Sequence, residues 1–107
     1  MTRQDNGERT NATQPAALTI AGLDPSGGAG VIADIRTFGA FDCYSTAVIT
    51  SLTFQNESEV FGAEHVSAAT LRAQLMPIIR EQRVAAAKTG MLPNREIVTE
   101  VAALSRK

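Results

Sequence analysis

The run Ala17-Leu18-Thr19-Ile20-Ala21-Gly22, passing into Leu23-Asp24-Pro25-Ser26-Gly27-Gly28-Ala29-Gly30, most restricts what this chain can fold into. Six small or apolar residues closing on glycine suit a buried strand that stops at a turn. Beyond the turn, Val31, Ile35 and Phe38 recur at helical spacing, with Asp34 on that same face. Strand, glycine-rich turn and helix in that order open an α/β unit.

The pattern repeats downstream. Residues Tyr44 to Phe54 are rich in Val, Ile, Thr and aromatic side chains without strict alternation, which predicts a parallel strand covered on both faces. From Glu57 to His65 the pattern is thin, with a short strand near Val60 and Phe61. Ser67 suits an N-cap for a helix carrying Ala68, Leu71, Leu75 and Ile78 on one side. Pro77 frees the carbonyl of Ala73 and is expected to kink or shorten that helix. Val84 to Lys88 reads as another strand, Thr89 to Pro93 as a turn, and Asn94 as the cap of a helix with Ile97, Val101 and Leu104.

Such alternation predicts parallel strands joined by right-handed crossovers, with helices packed on the sheet. Ligands of open α/β sheets sit outside the carboxyl ends of the strands. The segments to watch are therefore 22–30, 53–56 and 88–91.

Length and charge narrow the field. At 107 residues there is room for one domain, read as 16–107 behind a polar, disordered tail of residues 1–15. Ten basic residues spread along the chain against eleven acidic ones leave no basic face for a nucleic-acid partner. Cys43 is the only cysteine, so neither an internal disulfide nor a cysteine-based zinc site is expected, and a cytoplasmic location fits best. No apolar stretch nears the roughly 20 residues that a membrane helix needs. No metal site is read from the sequence.

The glycine-rich turn invites a phosphate reading, because glycines let a ligand approach the N–H groups at a helix start. Its spelling argues against the common versions. Gly30 is followed by Val31 and Ile32 instead of Lys-Ser/Thr, which rules out a Walker loop. Gly28-Ala29-Gly30-Val31-Ile32-Ala33 fits a loose dinucleotide fingerprint, but it stands away from the strand, and no acidic residue closes the second strand. Glycines that simply permit a tight turn and close helix packing remain an alternative reading.

Asp34 is the more informative residue. On the inward face of a helix its carboxylate needs a partner: either the backbone of the turn, or a ligand hydroxyl or amine above it. Gln55, after the second strand, offers a donor and an acceptor that match an amino group beside a ring nitrogen, and would otherwise be an ordinary loop residue. Lys88 and Met91 flank Gly90 and would bring a cation and an apolar side chain to the same crevice. His65 and Cys43 are assigned no catalytic role.

These segments, together with Ala33-Asp34, Val48-Ile49-Thr50-Ser51-Leu52, Gln55-Asn56 and Lys88-Thr89-Gly90-Met91-Leu92, closely resemble the hydroxymethylpyrimidine/phosphomethylpyrimidine kinases of thiamine biosynthesis. The resemblance implies a ribokinase-like α/β fold, here a partial parallel sheet with flanking helices. It implies ATP-dependent phosphorylation of 4-amino-5-hydroxymethyl-2-methylpyrimidine and then of its monophosphate. Gly22, Asp34 and Gln55 match the family's pyrimidine-pocket positions, and Ala29, Thr53 and Met91 match positions lining that pocket. Thr53 departs from the apolar residue expected there, and Leu23 stands where a polar residue is frequent.

The family is more than twice as long as this chain. Its ATP site, with Mg2+, and its Gly-Thr-Gly-Cys anion hole fall in the half absent here, so no catalytic residue is assigned to this chain. Missing strands would also leave a sheet edge exposed. Two readings follow: a truncated pyrimidine kinase, or a non-catalytic pyrimidine-binding module or half-enzyme that needs a complementing chain. A homodimer is expected by analogy with the family.

Overall fold

The computed structural model describes residues 15–106. The expected tail lies outside them except for Pro15, whose carbonyl accepts a hydrogen bond from the Tyr44 N–H at 2.9 Å. Four strands and three helices follow: β1 (Ala16–Leu23), α1 (Gly30–Ala40), β2 (Tyr44–Gln55), β3 (Val60–His65), α2 (Ala68–Glu81), β4 (Val84–Thr89) and α3 (Arg95–Leu104). They form one sheet in the order β3-β2-β1-β4.

β1 pairs in parallel with β2 on one side and with β4 on the other. β3 departs from the all-parallel expectation, because it runs antiparallel to β2. The connection explains this. Only residues 56–59 separate β2 from β3, too few for the crossover that parallel strands require. The Asn56 side chain closes this turn by accepting from the N–H groups of Ser58 and Glu59.

Alternation along β1 divides the molecule. Leu18 and Ile20 face α2 and α3, where they join Val48, Leu71, Leu75, Ile97, Val101 and Leu104 in the principal core. Thr19, the intervening residue, faces α1 instead, since its hydroxyl reaches Asp34 on that helix. Ser67 and Asn94 cap α2 and α3 as expected, each accepting from the N–H three residues on at 3.0 Å.

Three details differ from the sequence reading. α2 continues past Pro77 to Glu81, with Gln82 donating to the carbonyl of Ile78. Packing of Leu71 and Leu75 on the core outweighs the single hydrogen bond lost at proline. The inward stripe of α1 is only partly used: Val31 is buried, but Ile35 is 41% exposed. Finally, β2 is not covered on both faces along its whole length. In the half that pairs with β3, Ser51 and Thr53 are buried but Leu52 and Phe54 are exposed.

One hydrogen-bond arrangement had no visible signal in the sequence pattern. The Gln74 side-chain amide accepts from the Ile49 N–H at 2.9 Å and donates to the Ile49 carbonyl at 2.8 Å. Ile49 precedes the stretch of β2 that β3 covers, so Gln74 satisfies backbone groups that a neighbouring strand would otherwise take.

Among the described residues β4 has β1 as its only partner in the sheet, and five of its six residues are exposed. Beside it, between the sheet and helices α2 and α3, lies a cavity of about 350 Å³ lined by Leu18, Ile20, Leu75, Ile79, Val84 and Leu104 among others. Among the described residues β3 and β4 are the two edges of the sheet. No helix among the described residues is long and apolar enough to cross a membrane.

Candidate active site

The glycine-rich turn is organised around a carboxylate of its own. Asp24 is buried, and its Oδ1 accepts from the Ser26 N–H at 2.9 Å and the Ser26 hydroxyl at 2.6 Å. The Ser26 hydroxyl, the Ser26 amide and the amides of Gly28 and Ala29 hold this carboxyl below its usual value, against the opposing effect of burial. The turn therefore directs its amides at an internal anion. That accounts for the start of α1, where Ala29 supplies no side-chain cap. The guanidinium of Arg36 secures the other side by donating to the Gly27 carbonyl.

Two glycines here are dictated by geometry. Gly30 has φ +67°, and any Cβ would collide with the carbonyl oxygen of Gly22. Gly27 has φ +82°, but a Cβ there would make only ordinary contacts, 3.5 Å from the side chains of Arg36 and Ile32. The close approach of Gly30 to β1, including its bridge to Leu23, brings α1 down onto the end of that strand.

Asp34 is held by side chains of the sheet and not by the backbone of the turn. Its Oδ2 accepts from the Thr19 hydroxyl at 2.5 Å and from the Lys88 ammonium at 2.8 Å. The register explains the triad, since Thr19 of β1 lies directly beside Lys88 of β4 and both face α1. Partial burial alone would raise the Asp34 pKa. The Lys88 hydrogen bond, the Thr19 hydrogen bond and the Lys88 charge together prevail and lower it. Asp34 is thus an ionised acceptor with 16% of its side chain exposed. Both bonds fall on one oxygen, so Oδ1 takes none from a described residue.

The remaining candidate positions gather around the end of β1. Met91 lies against Gly22, with its sulfur 3.7 Å from where a Cβ on Gly22 would stand. Thr50, fully buried, donates to the Met91 carbonyl at 2.7 Å and fixes the loop after β4. Thr53 donates to the Leu23 carbonyl at 2.9 Å and accepts from the Gln55 side-chain nitrogen at 2.6 Å. Its hydroxyl, unexpected at that position, therefore orients Gln55 and satisfies a carbonyl at the end of β1. Ala29 stands at the start of α1.

Sequence reasoning did not identify Thr19 or Asp24 as site-forming residues. A threonine inside an otherwise apolar strand was the available signal for the first. His65, set aside as non-catalytic, has its Nδ1 at 2.9 Å from the hydroxyl of fully buried Ser51.

The described residues do not fit a nucleotide triphosphate at this turn, because Asp24 already engages its donors. None of the six candidate positions lines the cavity beside β4. The candidate site and the cavity lie on opposite faces of the sheet.

Comparison with known proteins supports the same direction. The sequence model of the phosphomethylpyrimidine kinase family matches residues 24–107. The hydroxymethylpyrimidine/phosphomethylpyrimidine kinase of Bacillus subtilis is 45% identical over 86 residues, which is 80% of this chain and 32% of that protein. The Escherichia coli enzyme of the same name is 44% identical over the same extents. The chain thus spans about a third of the length of these curated relatives.

Among solved structures, the phosphomethylpyrimidine kinase of Clostridium difficile superposes with a TM-score of 0.84 at 36% identity, covering 87% of this chain and 40% of that one. The pyridoxal kinase of Staphylococcus aureus, solved with AMP-PCP and pyridoxal, gives a TM-score of 0.78 at 29% identity, covering 87% and 35%. The expected ribokinase-like α/β architecture is that of these neighbours. With most of its length matched by the family's own model, this chain belongs to the phosphomethylpyrimidine kinase family.

Proposed function

We propose that residues 16–107 form the pyrimidine-binding part of an ATP-dependent hydroxymethylpyrimidine/phosphomethylpyrimidine kinase acting in the cytoplasm. The supporting observation is the pairing of hydrogen-bonding character around the end of β1. Asp34 is ionised and only accepts, whereas Gln55 has an amide with a donor and an acceptor, held by Thr53. An aminopyrimidine bearing a hydroxymethyl group offers matching donors and ring acceptors. Gly22 and Met91 supply a small and an apolar surface for a flat ring.

In this reading the chain binds and orients the substrate but lacks the phosphoryl-transfer machinery. ATP, with Mg2+, would be held by residues outside 15–106, either further along a longer chain or on a complementing one. No step is assigned to the glycine-rich turn. The edge position of β4 among the described residues supports the complementation reading, because no described strand pairs with its outer side. A homodimer, as expected from the family, is part of the same proposal.

Calorimetry with 4-amino-5-hydroxymethyl-2-methylpyrimidine, run beside an ATP turnover assay, tests this. Binding without turnover is expected. Absence of binding contradicts the pocket assignment, and full turnover by this chain contradicts placing the ATP site elsewhere.

A further inference from the structure

We infer that Lys88 is a positioning residue for substrate binding: it fixes Asp34 by one oxygen, so that the other is presented, ionised, to a donor group of the ligand. The inference rests on the pyrimidine-binding reading above and deepens it. Three observations carry it. Thr19 and Lys88 both bond Oδ2, leaving Oδ1 without a described partner. The two donors come from neighbouring strands in fixed register, so the carboxylate is held by the sheet as well as by its own helix. Lys88 is itself 47% exposed, so it reaches the carboxylate from the open side of the site.

Chemistry separates the roles of the two donors. The Thr19 hydroxyl is neutral and fully buried, and it favours the charged carboxylate through its hydrogen bond alone. The ammonium favours that form through both its hydrogen bond and its charge. A carboxylate held ionised accepts hydrogen bonds and cannot donate them, so the group it selects is an amine or a hydroxyl. A protonated Asp34 would accept less strongly and would tolerate a ring acceptor in the same place. Lys88 thus contributes to the hydrogen-bond polarity of the pocket.

The position of Lys88 is also tightly set. Gly90 donates from its N–H to the Ile20 carbonyl at 2.9 Å, continuing the ladder past β4. A Cβ at Gly90 would lie 2.8 Å from Ala21 Cβ and 3.3 Å from the Lys88 ammonium. A larger residue there would disturb both the strand contact and the reach of Lys88 to Asp34.

The test measures affinity of the 107-residue chain for 4-amino-5-hydroxymethyl-2-methylpyrimidine by calorimetry between pH 4 and pH 8. Wild type is compared with Lys88→Met and Lys88→Arg. The methionine keeps the apolar stem and removes the charge; it is expected to weaken binding about tenfold at neutral pH. It should also move the acid limb of the binding profile to higher pH, while arginine restores most of the affinity. Unchanged affinity and an unchanged pH profile in Lys88→Met would overturn the role of Lys88 alone. Absence of binding by wild type would overturn the pyrimidine-binding reading together with it.

Nitrogen NMR of lysine-labelled wild type adds a measurement independent of any variant's folding. The Lys88 ammonium is expected to stay paired with Asp34 when pyrimidine binds. Its release from Asp34 on ligand addition would overturn the inference.

Discussion

Lys88 Nζ lies 2.8 Å from Asp34 Oδ2, joining the end of β4 to the first turns of α1 across the face of β1. This pair and the Thr19 hydroxyl beneath it tie together elements from the two ends of the described chain. The pair is half exposed on the lysine side, so its direct contribution to stability is modest.

The first prediction concerns acid. Asp34 has its pKa lowered in the fold, so its contribution to stability is present above the unfolded-state value and disappears as pH falls through the native one. Asp34→Asn removes that contribution. Urea unfolding from pH 7 to pH 3 should show wild type the more stable at neutral pH, with the difference shrinking toward pH 3. A difference that stays constant across that range would mean that Asp34 ionisation is not coupled to folding.

The second sets two glycines of one turn against each other. Gly27 and Gly30 both have positive φ, but only at Gly30 would a side chain meet backbone, at the Gly22 carbonyl. Gly27→Ala should cost about 1 kcal/mol, from the left-handed conformation alone. Gly30→Ala should cost about 3 kcal/mol or more, because α1 must move away from β1. Thermal melting of both variants checks the order, and equal losses would show that α1 is not seated closely on the strand.

Much of this was legible in the sequence, for physical reasons. Ser67 and Asn94 announced α2 and α3 because caps act locally, and the apolar stripes of both helices marked the face that packs. The antiparallel turn of β3 was not legible, because exposed Val60 and Phe61 carry no burial pattern to fix a register. Asp34 was recognisable as a residue needing a partner. Which partner depended on the pairing of Thr19 with Lys88, a long-range register that spacing cannot reveal. The glycines suggested an anion, and the anion proved to be Asp24, only four residues before Gly28.

The third prediction takes the threonine that departs from family expectation. Thr53→Val removes the bond to the Leu23 carbonyl and frees the Gln55 amide. Stability should fall by about 1–2 kcal/mol. The side-chain amide signals of Gln55 should move toward solvent-averaged positions in an NMR spectrum. If they do not move, Thr53 is not what orients Gln55.

A fourth follows from the free side of β4. Its exposed Ala85-Ala86-Ala87 stretch and an outer side that no described strand pairs with should make this chain self-associate as its concentration rises. Ala86→Lys places a charge on that strand and should shift the association to higher concentration without loss of helix content. Sedimentation at several concentrations reads the effect, and identical profiles for both proteins would show that association occurs through another surface.

The central claim is that the pyrimidine binds on the α1 face, around the end of β1, and not in the cavity beneath α2 and α3. Chemical-shift mapping of the labelled chain during titration with 4-amino-5-hydroxymethyl-2-methylpyrimidine tests it most directly. Shifts are expected to centre on Gly22, Asp34, Thr53, Gln55 and Met91. Shifts centred instead on Leu75, Ile79, Val101 and Leu104, or no shifts at all, would contradict it.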